Sequence, residues 1–353
     1  MTNGQNKLID FKRILIIRMS AFGDIILTTP LIRALKKAYP DAKIDFLTKK
    51  QFEPLLIYNP HLERVIGFDT EQGFWGLLKL IRSLRKEKYD LVVDLHINPR
   101  SILVRYFCGA RLKRRYLKRS FERRLLKWFR INLLKNFQPV AERYFSALED
   151  FGIEPDGLPP EIYFSEKEKA KADEIISSAG QANYLIGLAP GASRYTKRWP
   201  AERFAWVGAK LAGELGAKIF ILGGNEDKGV SYQVSSAMKA MRAEEPIDLT
   251  GRLNILESSA LVKRLHLLIS NDSALMHIAT AVNTPVLAIF GSTSKELGFF
   301  PYSKKAKVVE VELECRPCSL HGKSACPKGH FKCMLEISPE KVYQTAKEML
   351  LKK

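Results

Sequence analysis

Long apolar runs are missing from this chain. No stretch approaches the roughly 20 residues needed to span a bilayer, and the start, MTNGQNKLIDFKR, lacks the hydrophobic core and small-residue cleavage site of a signal peptide. Both absences set the expectation of a cytoplasmic protein. No G-x-G-x-x-G follows the first strand-like run, which argues against a dinucleotide dehydrogenase, and no G-x-x-x-x-G-K-[ST] occurs, which argues against a P-loop NTPase. An Asp-x-Asp pair is also absent, so a nucleotide leaving group would have to be neutralised by a helix dipole and cations rather than by a chelated metal. Nor is there a helix-turn-helix, a zinc finger, an aromatic RNA-binding signature, a solenoid repeat or a low-complexity tract.

Acids are scarce relative to bases. Lys and Arg number 57 against 38 Asp and Glu, a formal net charge of +19, which predicts an acidic partner: nucleic acid, an anionic membrane or a phosphorylated substrate. The densest basic stretch is RLKRRYLKRSFERRLLKWFR, Arg111 to Arg130, where Tyr116, Phe121, Trp128 and Phe129 are interleaved and Glu122 is the lone acid. It reads as a basic, amphipathic surface helix suited to anionic lipid head groups, with a solvated helical face as the plainer alternative. Five cysteines fall unevenly: Cys108 stands apart, and Cys315, Cys318, Cys326 and Cys333 follow a C-x2-C-x7-C-x6-C spacing. In a reducing compartment that cluster suits a tetrahedral structural zinc, with His321 or His330 as substitute ligands; free thiols or a redox pair are the other readings.

The 353 residues, 46% hydrophobic and 27% charged, suit two domains of ordinary size. Strand-like RILIIRM, KIDFLTK and YDLVVDLH alternate with helical TTPLIRALKKAYP and FWGLLKLIRSLRKEK, the pattern of a parallel sheet with helices on its faces. Thr29 suits the cap of the first long helix and Pro30 its first position. A second series begins near residue 183 with NYLIGLAPG, and the stretch EDFGIEPDGLPPEIYFSEKEK between the two reads as the linker.

In such sheets ligands bind beyond the carboxyl ends of the strands. Asp24 lies in the loop after the first strand, in RMSAFGDIILTTP, where a capping or turn aspartate is the alternative to a site residue. In LAPGASRYTKRWP, Ser193, Thr196, Lys197 and Arg198 bring small hydroxyls and two cations to a strand end, chemistry suited to a polyphosphate. In ISNDSALMHIAT, Asp272 and Ser273 can both cap the following helix, and the first N–H groups at Ser273, Ala274 and Leu275 suit an anion. His277, one turn on, either faces the same site or is a satisfied core histidine. Two further loops, with Asn225 and Glu226 and with Thr250 and Gly251, suit a ribose or adenine pocket.

These loops, in this order, resemble those of the ADP-heptose:lipopolysaccharide heptosyltransferases. The resemblance rests on ILIIRMSAFGDIILTTPLIRALKKAYPDAKIDFLT, LAPGASRYTKRWPAERFAWVGAKL, DLTGRLNILESSALVKRLHLLISNDSALMHIATAVNTPVLAIFGST and the closing cysteine-rich segment, and is weakest from about 100 to 180. It implies the α/β GT-B class, two Rossmann-like doubly wound lobes facing a central cleft. Residues 1–170 would form the acceptor lobe, 171–335 the nucleotide-sugar lobe, and 336–353 a helix packing back on the N-terminal lobe. It further implies Asp24 as the catalytic base, Lys197 with Ser193, Thr196, Ser273, Ala274 and Leu275 on the donor diphosphate, Asp272 and His277 on the donor sugar, and Asn225, Glu226, Thr250 and Gly251 on the nucleoside. An aspartate of ordinary pKa, about 3.9, is too weak to ionise a sugar hydroxyl beforehand but accepts its proton as the new bond forms. The activity implied is inverting transfer from ADP-heptose to the lipopolysaccharide inner core with no cofactor needed for catalysis. Nucleic acid is not expected as a partner. Arg114, Arg115, Arg123 and Arg124 are expected to meet the acceptor or the anionic inner-membrane surface, the protein sitting peripherally on its cytoplasmic face.

Overall fold

In the computed structural model, the structure describes residues 10–129 and 138–351. They form two compact units: residues 10–118 with 140–158, and the remaining described residues. The first unit carries β1 (Arg13–Ile17), β2 (Lys43–Lys49), β3 (Arg64–Phe68), β4 (Leu91–Asp94) and β5 (Leu112–Arg115), all parallel, in the order β3-β2-β1-β4-β5. Ile14, Leu15, Ile16 and Ile17 are all fully buried. A parallel sheet covered on both faces has no wet side, so its central strand reads as an unbroken apolar run instead of an alternation. The helix Gly73–Lys86 closes one face with Leu77, Ile81 and Leu84, one per turn, each burial contributing about 1.5–3 kcal/mol.

The second unit carries β6 (Tyr184–Ala189), β7 (Ala217–Ile221), β8 (Ile247–Asp248), β9 (Leu267–Asn271), β10 (Val286–Ile289) and β11 (Ala306–Val309). They too are parallel, in the order β11-β10-β9-β6-β7-β8. Each unit is therefore a Rossmann-like α/β domain, as expected. Strand order reverses between β1 and β4 in the first and between β6 and β9 in the second, and those switch points are where open α/β sheets leave a crevice for ligand.

Three expectations need correction. The division after residue 140 falls at Leu158, inside the predicted linker, and not at 170. The reason is that the helix Glu166–Ser178 buries Ala172 in the second unit, while Arg264 pairs with Asp173 and Lys263 lies 5.6 Å from the ring centre of Phe164. The closing helix Pro339–Leu351 does not belong to the N-terminal unit: Val342, Tyr343 and Ala346 are part of the second unit's core, beside Trp199 and Phe204. Trp199 secures the approach to that helix, donating its indole N–H to the Ile337 carbonyl at 3.0 Å.

The basic stretch is not one helix. Its start forms the edge strand β5, Tyr116 is buried, and a helix runs only over Ser120–Phe129; Arg130 lies outside the described residues. No helix among the described residues is long and apolar enough to cross a membrane.

Candidate active site

At the end of β1 the chain turns into a short helix, Phe22–Ile26, carrying Asp24 in its first turn. Its Oδ2 accepts the Ala21 N–H at 3.2 Å, so part of the capping alternative is realised. The other oxygen does something a cap does not: Oδ1 pairs with Arg18 Nη2 at 2.7 Å, with the Arg18 side chain 9% exposed and that of Asp24 21% exposed. Burial works against the charge of Arg18, but Tyr144, Asp24 and Tyr116 together raise its pKa above the ordinary value, so the guanidinium stays charged. Its Nη1 donates to the Leu95 carbonyl at 2.5 Å, tying the Asp24 loop to the end of β4 across the switch point. Asp24 is thus an oriented carboxylate that stays partly exposed, the form a general base requires.

The second unit repeats the device. Lys197 sits in a tight turn after β6, and its Nζ meets Asp272 Oδ2, just after β9, at 2.8 Å; their side chains are 13% and 7% exposed. The Thr293 hydroxyl donates to the same oxygen at 2.8 Å. Neither candidate cap on the next helix acts as one: Asp272 is spent on Lys197, and Ser273, the N-cap of Ala274–Ala281, makes no side-chain cap bond. That leaves the first-turn N–H groups, Ala274 and Leu275 among them, without a side-chain cap at the switch point, an arrangement suited to an anion. His277 is buried between Met276 and Ile278, so the histidine belongs to the helix's packed part.

Of the remaining residues of the Lys197 loop, Ser193 is exposed and Thr196 is 1% exposed. The Thr196 hydroxyl accepts from the Lys323 N–H at 2.8 Å and from Ser292 Oγ at 3.0 Å, while the Thr196 N–H donates to the Lys323 carbonyl at 3.1 Å. Both lone pairs of the hydroxyl are thus used in holding the turn that presents Lys197. Gly322, at φ +85°, lets the cysteine-rich segment lie against Lys197, since a Cβ there would come within 2.9 Å of its methylene chain.

The two loops expected to line a nucleoside pocket are brought together. Gly251 donates to the Gly223 carbonyl at 3.0 Å, and at φ +68° a Cβ on it would strike Asn225 at 2.4 Å. Asn225 and Glu226 are exposed, whereas Thr250 is buried, its hydroxyl bonded to Ser231 Oγ at 2.7 Å.

The four cysteines of the zinc expectation, Cys315, Cys318, Cys326 and Cys333, come near one another, Cys315 and Cys326 helping to raise the thiol pKa of Cys318 and of Cys333. Among the described residues no group of three or more Cys, His, Asp or Glu is placed to hold a metal ion. Cys333 instead belongs to the second unit's core with Met334 and Ile337, burial pushing its thiol up to about 12, and Cys318 is held by the Ser292 carbonyl, to which its N–H donates at 3.2 Å. Cys315 Sγ lies 3.9 Å from His330 Nε2.

The four arginines expected at a surface also divide. Arg114 Nε pairs with Asp150 at 3.0 Å, and Arg123 is 7% exposed with its guanidinium 5.6 Å from the Phe299 ring centre. Arg115 and Arg124 are exposed.

Residues missed by sequence reasoning are the partners: Arg18, Thr293 and Asn271. Asn271 accepts the Trp199 N–H at 3.1 Å and donates to the Pro190 carbonyl at 2.7 Å, locking the loop of β6 to the end of β9.

Residues 77–328 match the model of glycosyltransferase family 9 (heptosyltransferase). The lipooligosaccharide heptosyltransferase 2 of Haemophilus influenzae is 28% identical over 352 residues, covering 96% of this chain and 99% of that protein. A crystal structure of a family 9 glycosyltransferase from Veillonella parvula superposes with a TM-score of 0.80 at 28% identity, covering 97% of this chain and 98% of that one. The structure of the ADP-heptose lps heptosyltransferase II of E. coli does so at 0.75 and 27% identity, covering 96% and 98%. With well over half its length in the family model and both switch-point sites built, the chain belongs to glycosyltransferase family 9 and is a heptosyltransferase.

Proposed function

We propose that the enzyme transfers heptose from ADP-L-glycero-D-manno-heptose to the lipopolysaccharide inner core, a Kdo or heptose acceptor, with inversion at the anomeric carbon. The observation that carries this reading is the Asp24 carboxylate, fixed by Arg18 at a sheet switch point and still partly exposed. Asp24 takes the proton of the attacking acceptor hydroxyl as the new bond forms, the hydroxyl approaching the face opposite the departing ADP. Lys197 and the N–H groups at the helix start by Ser273 meet the charge that develops on ADP, so this chain's own residues supply the neutralisation. Asp272 holds donor sugar hydroxyls. The names of the full-length relatives, which cite lipooligosaccharide and ADP-heptose, support both substrates. Incubating the protein with ADP-heptose and EDTA, with and without a truncated Kdo-lipid acceptor, tests it. Acceptor-dependent ADP release in EDTA is expected; no release with any core acceptor despite ADP binding overturns the reading.

Thr196 acts on the donor site through Lys197. Thr196→Val strips the acceptor from the buried Ser292 hydroxyl, which costs about 1–3 kcal/mol of stability, and is expected to weaken ADP binding as well, while Thr196→Ser does neither. Calorimetric titration with ADP beside thermal unfolding checks this; unchanged ADP affinity at lowered stability leaves Thr196 a structural role only.

An anionic inner-membrane surface would be met by the helix Ser120–Phe129, where Phe121, Trp128 and Phe129 are 69%, 68% and 70% exposed and Arg124 is exposed. Large exposed aromatics beside a cation suit the lipid interface. Replacing Trp128 with Ser and Arg124 with Gln together is expected to lower binding to phosphatidylglycerol vesicles about tenfold or more, given about 1 kcal/mol per surface cation. Sedimentation with unchanged vesicle binding would remove the membrane from the reading.

A further inference from the structure

In the second unit both sides of the switch point carry site residues, Lys197 after β6 and Asp272 after β9. In the first unit Asp24 follows β1, and the residues across from it, at the end of β4, have no assigned role. They are unusually well held. Asp94 is fully buried, and its Oδ1 accepts the N–H groups of His96 and Ile97, each at 2.9 Å, while its Oδ2 accepts from Ser101 Oγ at 3.1 Å. Ile97 sits at φ +55°, a conformation that a β-branched residue adopts only where its surroundings impose it. Arg18 grips the Leu95 carbonyl with the same guanidinium that holds Asp24, and Lys118 Nζ donates to the His96 carbonyl at 3.4 Å. His96 is thereby anchored beside the base by both neighbours.

Its imidazole is an unusual one for a structural histidine. Nδ1 is sealed from solvent and has no hydrogen-bond partner, a cost a purely structural histidine ordinarily avoids by donating or accepting there. Burial, together with Arg18, Lys118 and Lys49 and against the pull of Asp24, holds the ring pKa down to about 4, so it is neutral at physiological pH. A neutral imidazole carries a single N–H, and an orphaned buried donor is rarer than an orphaned acceptor. The proton therefore belongs on Nε2, the nitrogen left for a ligand.

We infer that His96 is an acceptor-binding residue, its Nε2–H donating to an acceptor-sugar oxygen next to the hydroxyl that Asp24 deprotonates. This rests on the proposed transferase reading and adds to it a contact that sets how the acceptor ring is turned toward the base. The test is steady-state kinetics of the full-length enzyme and its His96→Gln, His96→Asn and His96→Ala variants, with ADP-heptose and the Kdo-lipid acceptor varied separately. Gln places an amide N–H close to the position of Nε2, whereas Asn places it near Nδ1. His96→Asn and His96→Ala are expected to raise the acceptor KM about three- to tenfold, the range of one neutral hydrogen bond, with the donor KM unchanged and His96→Gln within twofold of the parent. Equal acceptor KM in all variants, or a change confined to the donor KM, overturns the assignment of His96 alone. Absence of acceptor-dependent turnover in the parent enzyme overturns the transferase reading along with it.

Discussion

Asp24→Asn is expected to lower turnover about 10²–10⁴-fold while ADP-heptose binds as in the parent enzyme, because the amide keeps the size of the carboxylate but cannot take a proton from the acceptor hydroxyl. Stability falls too, and the two effects must be separated. Arg18, with a side chain 9% exposed, loses its partner, and a buried charge left uncompensated costs about 3–5 kcal/mol. Combining Asp24→Asn with Arg18→Met removes that charge and is expected to recover much of the thermal stability without recovering turnover. Loss of activity that returns with stability in the double variant would make Asp24 a structural anchor, and weak donor binding with near-normal turnover would remove it as the base.

The parts of the molecule legible from sequence are those set by near neighbours along the chain. RILIIRM became β1 because continuous burial writes a continuous apolar run, and the helix Thr29–Ala38 starts within a residue of where Thr29 and Pro30 put it, Thr28 being the N-cap. Asp24, Lys197 and Asp272 stand out as candidates because each follows a strand, and open α/β sheets bind ligands beyond the carboxyl ends of their strands. What stayed hidden depends on contacts far apart in sequence. Arg18 reads as an interruption in an apolar run until its guanidinium is seen to reach a carbonyl 77 residues away. Nothing in the local sequence shows that the Thr196 hydroxyl accepts an N–H 127 residues on. The basic run from Arg111 was read by composition alone, and composition does not register that Arg123 turns inward onto Phe299 or that Tyr116 enters a core. The cysteine spacing does gather the thiols, since Cys315, Cys318 and Cys326 all help to raise the thiol pKa of Cys333, but spacing does not register that Cys333 packs into a hydrophobic core.

Lys197→Met is expected to lower kcat/KM for ADP-heptose about 10²–10³-fold, the scale on which removing one preorganised donor at a developing negative charge acts. Methionine keeps the length and the apolar stem, so the loss isolates the ammonium. Here again a pair is broken: Asp272, its side chain 7% exposed, keeps the Thr293 hydroxyl but loses its cation, so a drop in melting temperature accompanies the kinetic loss. Adding Asp272→Asn removes the stranded carboxylate and is expected to restore the melting temperature but not the donor kinetics, since the diphosphate still lacks its cation. Lys197→Arg is expected to fall between, because a planar fork cannot occupy the point position that a single Nζ takes against Asp272 Oδ2. If Lys197→Met kept near-normal donor kcat/KM, the Lys197–Asp272 pair would be a clasp between the ends of β6 and β9, and the charge on the leaving ADP would fall to the helix start at Ser273 alone.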